Sequence, residues 1–239
     1  MTETVQEAPE TETVHPPGTV RGHAVVFQGR GDSPAHYRRL SARLAVDGYT
    51  AHVPTTAPRS PQEAADLWNR LATGWAPELS TVAIGADTAA GFLAEADQQK
   101  LLSPAPGGLV LAGAAVAGAT PSAEDELTLR SACPVHRGVA EEAGAESIRT
   151  SSILPTWSIN APSIPVLAIH GEADRISPLP EVQHQLHGWS AELTTVAGGL
   201  HDVLNDVHHR SVAAEIITFV ERLRLDPTAT PILRRKVIA

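Results

Sequence analysis

The sequence predicts an α/β fold, with a mostly parallel sheet of about six strands covered by helices on both faces. Three observations point to it. Short apolar runs alternate with segments of helical period, as where His23-Ala24-Val25-Val26-Phe27 is followed by Tyr37, Leu40 and Leu44. The runs are continuous rather than alternating, the pattern of strands buried on both faces. Glycine-rich turns close several of them, where a chain leaves a strand for a helix. With 239 residues, 42% of them hydrophobic, the chain can bury one substantial core, so a single domain is expected.

Residues 1–18 carry Glu3, Glu7, Glu10 and Glu12 with three prolines and no Lys or Arg, and are expected to form a mobile acidic tail. A first strand runs from Thr19 to Phe27 and ends in Gln28-Gly29-Arg30-Gly31-Asp32. Ser33 and Pro34 then read as N-cap and first helical residue, with Gly48 as the stop. Tyr49 to Val53 is a second strand, and Ser60-Pro61-Gln62-Glu63 is a capping box opening a helix through Leu67, Trp68 and Leu71 to Gly74. Val82 to Gly85 is the third strand, Gly108 to Gly113 the fourth, Ile164 to His170 the fifth and Glu192 to Val196 the sixth. Ser211 to Leu225 reads as a closing amphipathic helix, followed by a C-terminal tail over 226–239. Residues 114–163 break the rhythm. They show no strand pattern and hold Cys133, His136, Arg137 and Trp157, and an insertion at this edge of a parallel sheet reads as a lid over a site or as an irregular crossover.

The formal net charge of -9 and pI near 5.6 argue against binding a phosphate backbone, so nucleic acid is not an expected partner. The single Cys133 cannot form an intrachain disulfide, and neither a signal-peptide pattern nor an apolar membrane-length stretch is present. A soluble, cytoplasmic protein acting on a small molecule is expected, with no metal or organic cofactor implied and the oligomeric state open. His184 and His187 are spaced as a helical pair, but Val182 and Leu186 mark the buried face, which reads as a surface pair rather than a metal site.

Thr81-Val82-Ala83-Ile84-Gly85-Ala86-Asp87-Thr88-Ala89 reads as strand, sharp turn and helix start, with a carboxylate at the apex. A side chain on such an elbow is pushed out of the sheet edge, beside backbone N–H groups that stabilise an anion. An ionised acid there costs solvation unless it is used or paired. Asp174 follows the fifth strand, in Gly171-Glu172-Ala173-Asp174. His201 follows the sixth, on the loop Gly198-Gly199-Leu200-His201. The chain order is nucleophile, orienting acid, base. Arg30 reads as paired with Asp32 or solvent, the alternative being a side-chain contact to an anionic substrate, and Asp32 as a loop-capping acid ahead of a substrate contact.

From about Thr19 to Leu225 the chain resembles the α/β-hydrolase superfamily. Gly29-Arg30-Gly31-Asp32 through His36-Tyr37 to Gly48-Tyr49 is similar to the oxyanion loop and following helix of lysophospholipase- and monoacylglycerol-lipase-like members, and the Asp174 and His201 segments to their acid and histidine motifs. The resemblance implies that Asp174 orients His201, that His201 is the general base, and that the backbone N–H groups of Arg30 and Thr88 are oxyanion donors. The elbow departs from the esterase pattern, with Asp87 in place of serine and Ala89 in place of the second glycine. Members with an aspartate elbow, such as haloalkane dehalogenases and epoxide hydrolases, form an ester on the aspartate that histidine-activated water cleaves. The epoxide hydrolases' lid tyrosines have no counterpart here, since the only tyrosines are Tyr37 and Tyr49, and Thr88 stands where dehalogenases carry a tryptophan. His136 and Trp157 are the candidate substrate contacts from the insertion.

The expected function is thus hydrolysis through an Asp87-Asp174-His201 triad. The alternatives are a non-hydrolytic cyclase, isomerase or lyase using Asp87 and His201 for proton transfer, and a non-catalytic binding protein.

Overall fold

The computed structural model describes residues 10–116, 123–143 and 160–226. Six parallel strands are present: β2 (Gly22–Phe27), β3 (Tyr49–Pro54), β4 (Ser80–Ala86), β5 (Gly108–Ala112), β6 (Val166–Gly171) and β7 (Ala191–Val196). A seventh, β1 (Thr11–Val14), pairs antiparallel with β3, giving the order β1-β3-β2-β4-β5-β6-β7.

β1 corrects the expectation of a mobile tail over 1–18. Its side chains bury little, so composition gave no strand signal; the segment is held by backbone pairing to the edge of β3 and by Glu10, whose carboxylate accepts from Arg70 at 2.8 Å. Residues 1–9 and 227–239 lie outside the described residues.

The continuous apolar runs divide between two cores because successive strand side chains point to opposite faces. Val25 and Phe27 of β2 pack with Trp68 of α2 (Pro61–Ala72) and Leu93 of α3 (Thr88–Gln98). Ala24 and Val26 pack on the other face with Leu44 of α1 (Arg38–Val46) and with Ile216 and Phe219 of the last helix, His209–Leu225. Trp68 is fully buried and its indole N–H donates to Pro104 O at 2.6 Å, so the large ring leaves no unpaired polar atom.

At the start of α2, Ser60 Oγ accepts from Glu63 N at 3.1 Å. The reciprocal arm of the expected capping box falls one residue earlier, with Arg59 N donating to Glu63 Oε2 at 2.9 Å. A 3-10 turn, Pro34–Tyr37, precedes α1.

The described part of the insertion forms two helices, α4 (Ala123–Arg130) and α5 (Pro134–Ala143). They are tied to the loop after β7: Asp202 N donates to Arg130 O at 2.8 Å, and Ala132 N to Asp206 Oδ1 at 2.7 Å. After β6 come α6 (Leu179–Gln185) and, after β7, the closing helix α7 (His209–Leu225). His184 and His187 are exposed. Among the described residues no helix is long and apolar enough to cross a membrane.

Candidate active site

The site forms where β4, β6 and β7 end. Gly85 is the last position before the elbow at which the chain must lack a side chain, because a Cβ there would lie 2.7 Å from Ala89 O, Ala90 Cα and Ala90 N. The close approach of β4 to α3 follows, and Asp87 sits at the apex with φ 50° and ψ -120°. A positive φ at a residue bearing a side chain stores strain on the order of 1–3 kcal/mol. Backbone bonds hold it there: Asp87 N donates to Ala112 O at 3.1 Å, and Ala115 N donates to Asp87 O at 3.1 Å. Gly113, at φ 52°, lets the end of β5 close on the His201 loop, since a Cβ there would meet His201 O at 2.1 Å.

Asp174 is fixed from two sides. Oδ1 accepts from Ile176 N at 2.8 Å and Ser177 N at 3.0 Å; Oδ2 faces His201 Nδ1 at 2.7 Å and His170 Nε2 at 3.0 Å. Burial pushes the Asp174 carboxyl up, but His201 and His170 outweigh it and hold it well below the usual carboxylate range. With Nδ1 donating to Asp174, His201 turns Nε2 toward Asp87 Oδ1 at 3.6 Å, beyond hydrogen-bonding distance, and among the described residues Nε2 has no hydrogen-bond partner. Burial lowers His201, yet Asp174 and then Asp87 reverse this and carry it up to about 10, so it is an imidazolium at neutral pH.

Asp87 is 3% exposed and heavily paired. Its Oδ2 accepts from Arg130 Nη2 at 2.7 Å, Arg30 Nε at 3.0 Å and Arg30 N at 3.2 Å. Glu126 Oε1 joins the two guanidiniums, accepting from Arg30 Nη2 at 2.9 Å and Arg130 Nη2 at 3.1 Å. Arg130 Nη1 lies 3.6 Å from Asp32 Oδ1, while Tyr37 Oη donates to Asp32 Oδ2 at 2.5 Å and accepts from Gly29 N at 3.1 Å. Burial raises the Asp87 carboxyl, but Arg30, Arg130 and His201 hold it well below the usual range, ionised at every working pH. Removing one partner from such a buried network leaves an uncompensated charge, a cost of about 3–5 kcal/mol.

Asp87, Asp174 and His201 are therefore brought together as the chain order implies. The Arg30 N–H points at Asp87 Oδ2, and Thr88 is buried at the first position of α3. Two readings are corrected. The Arg30 guanidinium binds Asp87 and Glu126 rather than Asp32 or solvent, and Asp32 receives Tyr37 and Arg130 rather than capping its loop. His136 is buried with Nε2 2.6 Å from Asp202 Oδ2, and among the described residues no hydrogen bond or ion pair joins it to the triad. Trp157 lies outside the described residues.

Arg130 and Glu126 were missed. Their signal is the i,i+4 spacing of opposite charges in the insertion, which marks a helical pair but not its destination. His170, directly before Gly171, reads in the sequence as the end of a strand; its Nε2 lies 2.7 Å from Ser177 O and 3.0 Å from Asp174 Oδ2, a second imidazole beside that carboxylate. A cleft of about 540 Å³ lies elsewhere, between β7 and α7, with Thr194, Glu215 and Phe219 on its walls; no triad residue lines it, so the chemistry rather than the cavity locates the site.

The chain is similar in structure to a soluble variant of monoglyceride lipase from Saccharomyces cerevisiae in complex with a substrate analog (TM-score 0.70, 12% identity, 89% of this chain and 91% of that one). A highly thermostable carboxyl esterase from Bacillus coagulans in complex with glycerol gives TM-score 0.68 at 14% identity, covering 90% and 94%. A monoacylglycerol lipase from Paleococcus ferrophilus gives 0.65 at 16%, covering 90% and 98%. At these identities the likeness shows the fold, an α/β-hydrolase fold. No protein-family model and no curated protein sequence matches the chain.

Proposed function

We propose that the chain is a small-molecule hydrolase working through a covalent ester on Asp87, with His201 as base and Asp174 as the acid that orients it. The observation that carries this reading is His201 itself: Nδ1 is held by Asp174, and Nε2, which has no hydrogen-bond partner among the described residues, faces the carboxylate on the strained elbow. Asp87 Oδ1 attacks an sp³ carbon, and the leaving group departs with the bonding electron pair; an alkoxide takes the proton that His201 carries at rest, whereas a halide leaves as the anion and that proton passes to solvent. Esterification removes the Asp87 charge, one of the causes that raise His201, and so favours the neutral base. His201 then takes a proton from water as the water attacks Cγ; the Cγ–Oδ1 bond breaks, and the alkoxide leaves with the proton of the new carboxyl. Substrate plus water gives alcohol plus protonated leaving group.

Arg30 N–H supports this as an oxyanion donor already aimed at Oδ2, with the N–H of Thr88 at the helix start as its partner. Asp87 and His201 are 3% and 1% exposed, so substrate reaches them only when the cover over the elbow opens. The acid/base alternative fits less well. A proton shuttle needs a carboxyl that titrates near the working pH, whereas Arg30 and Arg130 keep Asp87 ionised far below it. Attack on carbon needs only the ionised form.

A screen of esters, lactones, epoxides and alkyl halides against wild type and Asp87→Asn tests the reading. Turnover is expected to fall on the order of 10⁴-fold in the variant, and His201→Gln should accumulate an adduct on the Asp87 peptide, seen by mass spectrometry. Turnover that survives Asp87→Asn, or an Asp87 peptide left unlabelled in His201→Gln by an alkyl halide, whose leaving group needs no proton, would overturn it.

A further inference from the structure

The two oxygens of Asp87 are held differently. Oδ2 receives three donors: Arg130 Nη2 at 2.7 Å, Arg30 Nε at 3.0 Å and Arg30 N at 3.2 Å. Oδ1 has Arg30 Nε at 3.2 Å and His201 Nε2 at 3.6 Å. From this asymmetry we propose that Arg130 is a catalytic residue, its guanidinium delivered from α4 as the cationic part of the oxyanion site on Asp87 Oδ2, while Oδ1 makes and breaks the bond to substrate. The assignment rests on the covalent reading above.

The consequence follows from where charge sits at each stage. In the resting carboxylate the charge is spread over both oxygens, and the guanidinium stabilises the ground state of the attacking group. In the ester Oδ2 is a neutral carbonyl oxygen. When water attacks Cγ, its proton passes to His201 Nε2 and the carbonyl π pair moves onto Oδ2, which becomes a full oxyanion; collapse returns that pair and breaks Cγ–Oδ1. Only interactions stronger in the transition state than in the preceding state accelerate a step. Arg130 therefore slows ester formation and accelerates ester hydrolysis. A residue that merely supports the fold has no reason to move the two half-reactions in opposite directions.

Glu126 positions the fork. Its Oε1 accepts from Arg130 Nη2 at 3.1 Å, Arg130 Nε at 3.2 Å and Arg30 Nη2 at 2.9 Å, so both guanidiniums turn toward the elbow. Arg130 is 3% exposed, and near an atom so far from water a fixed cation acts more strongly than it would in solvent.

The test uses 4-nitrostyrene oxide and 1-bromohexane as probes, with single-turnover measurement of adduct formation and decay on the Asp87 peptide. Arg130→Lys keeps the charge and removes the fork. Adduct is expected to form at the wild-type rate or faster and to decay on the order of 100-fold more slowly, so that ester accumulates at steady state with His201 intact. If Arg130→Lys does not fold, the charge-balanced pair Arg130→Gln with Glu126→Gln is measured in the same way. Decay at the wild-type rate, or formation and decay falling together, overturns the assignment of Arg130 while a labelled His201→Gln leaves the covalent reading standing. No label in His201→Gln with 1-bromohexane, whose bromide leaves without a proton, overturns both.

Discussion

Gly85 and Asp87 lie two residues apart and show how far a single position determines this site. At Gly85 the missing side chain lets α3 start directly against β4, and any Cβ meets backbone atoms of α3 at 2.7 Å, where no rotamer change relieves the clash. Gly85→Ala is expected to destabilise the fold by about 3 kcal/mol, the upper end of overpacking costs, and to lower activity by displacing the elbow. Denaturant unfolding of the variant checks this, and a loss below about 0.5 kcal/mol would mean that the elbow relaxes. Ala89 stands where the esterase pattern has its second glycine, and its methyl group is fully buried. At this scale the grouping of the three residues was legible, because Asp87, Asp174 and His201 each follow a strong strand and parallel strands end on the same edge. The pairing of Asp87 was not. Its need for a partner follows from burying a charge, but the partner's identity depends on an insertion whose path the sequence does not specify.

The elements differ in how they are held, and that decides which of them the sequence announces. The central strands bury large apolar side chains on both faces and are visible as runs. β1 has almost no buried side chain and is held by its ladder to β3, so nothing in its composition distinguishes Thr11–Val14 from a solvated tail. Each ladder hydrogen bond contributes about 1 kcal/mol, and ordering each residue costs about 1–2 kcal/mol. The two nearly cancel, and removing residues 1–14 is expected to change unfolding free energy by no more than about 1 kcal/mol. Its effect is elsewhere: β3 becomes an open sheet edge, a template for pairing with another chain. Light scattering of the truncated chain should show association that grows with concentration, while the full chain stays unchanged; a truncation that does not associate would mean that the β3 edge is protected by other means. The insertion carries the opposite lesson. α4 and α5 are short and weakly patterned, yet through Arg130 O, Arg130 Nη2 and His136 they bind the His201 loop and the elbow at once.

Across the whole molecule the buried charges make stability a function of pH with a definite shape. His201 is raised to about 10 in the folded state against about 6.5 unfolded. Between these values the folded chain binds the extra proton, so this contribution is complete below about pH 6.5 and is lost as pH rises through about 10. His136, which burial lowers but Asp202 raises on balance, has the same sign. His52 behaves in the opposite way. Burial, then His23 and His15, lower it to about 4, so its contribution is present above about pH 6.5 and is lost as pH falls through about 4. Asp87 and Asp174, both held below the usual carboxylate range, add a further loss below about pH 3.9. The melting temperature should therefore peak near pH 6.5 and decline on both sides. Cys133 opposes the alkaline decline: burial raises its thiol, but Arg39 and two backbone N–H groups bring it down. Comparison with His201→Gln isolates the histidine. Calorimetry between pH 4 and 10 should show the alkaline slope reduced in His201→Gln and the acid slope reduced in His52→Gln, each variant leaving the other limb in place. An alkaline slope from pH 7 to 10 that is the same in His201→Gln as in wild type would mean that His201 is neutral in the folded protein. On the proposed mechanism it would then be a base before any ester forms, and removal of the Asp87 charge would not be what readies it to activate water.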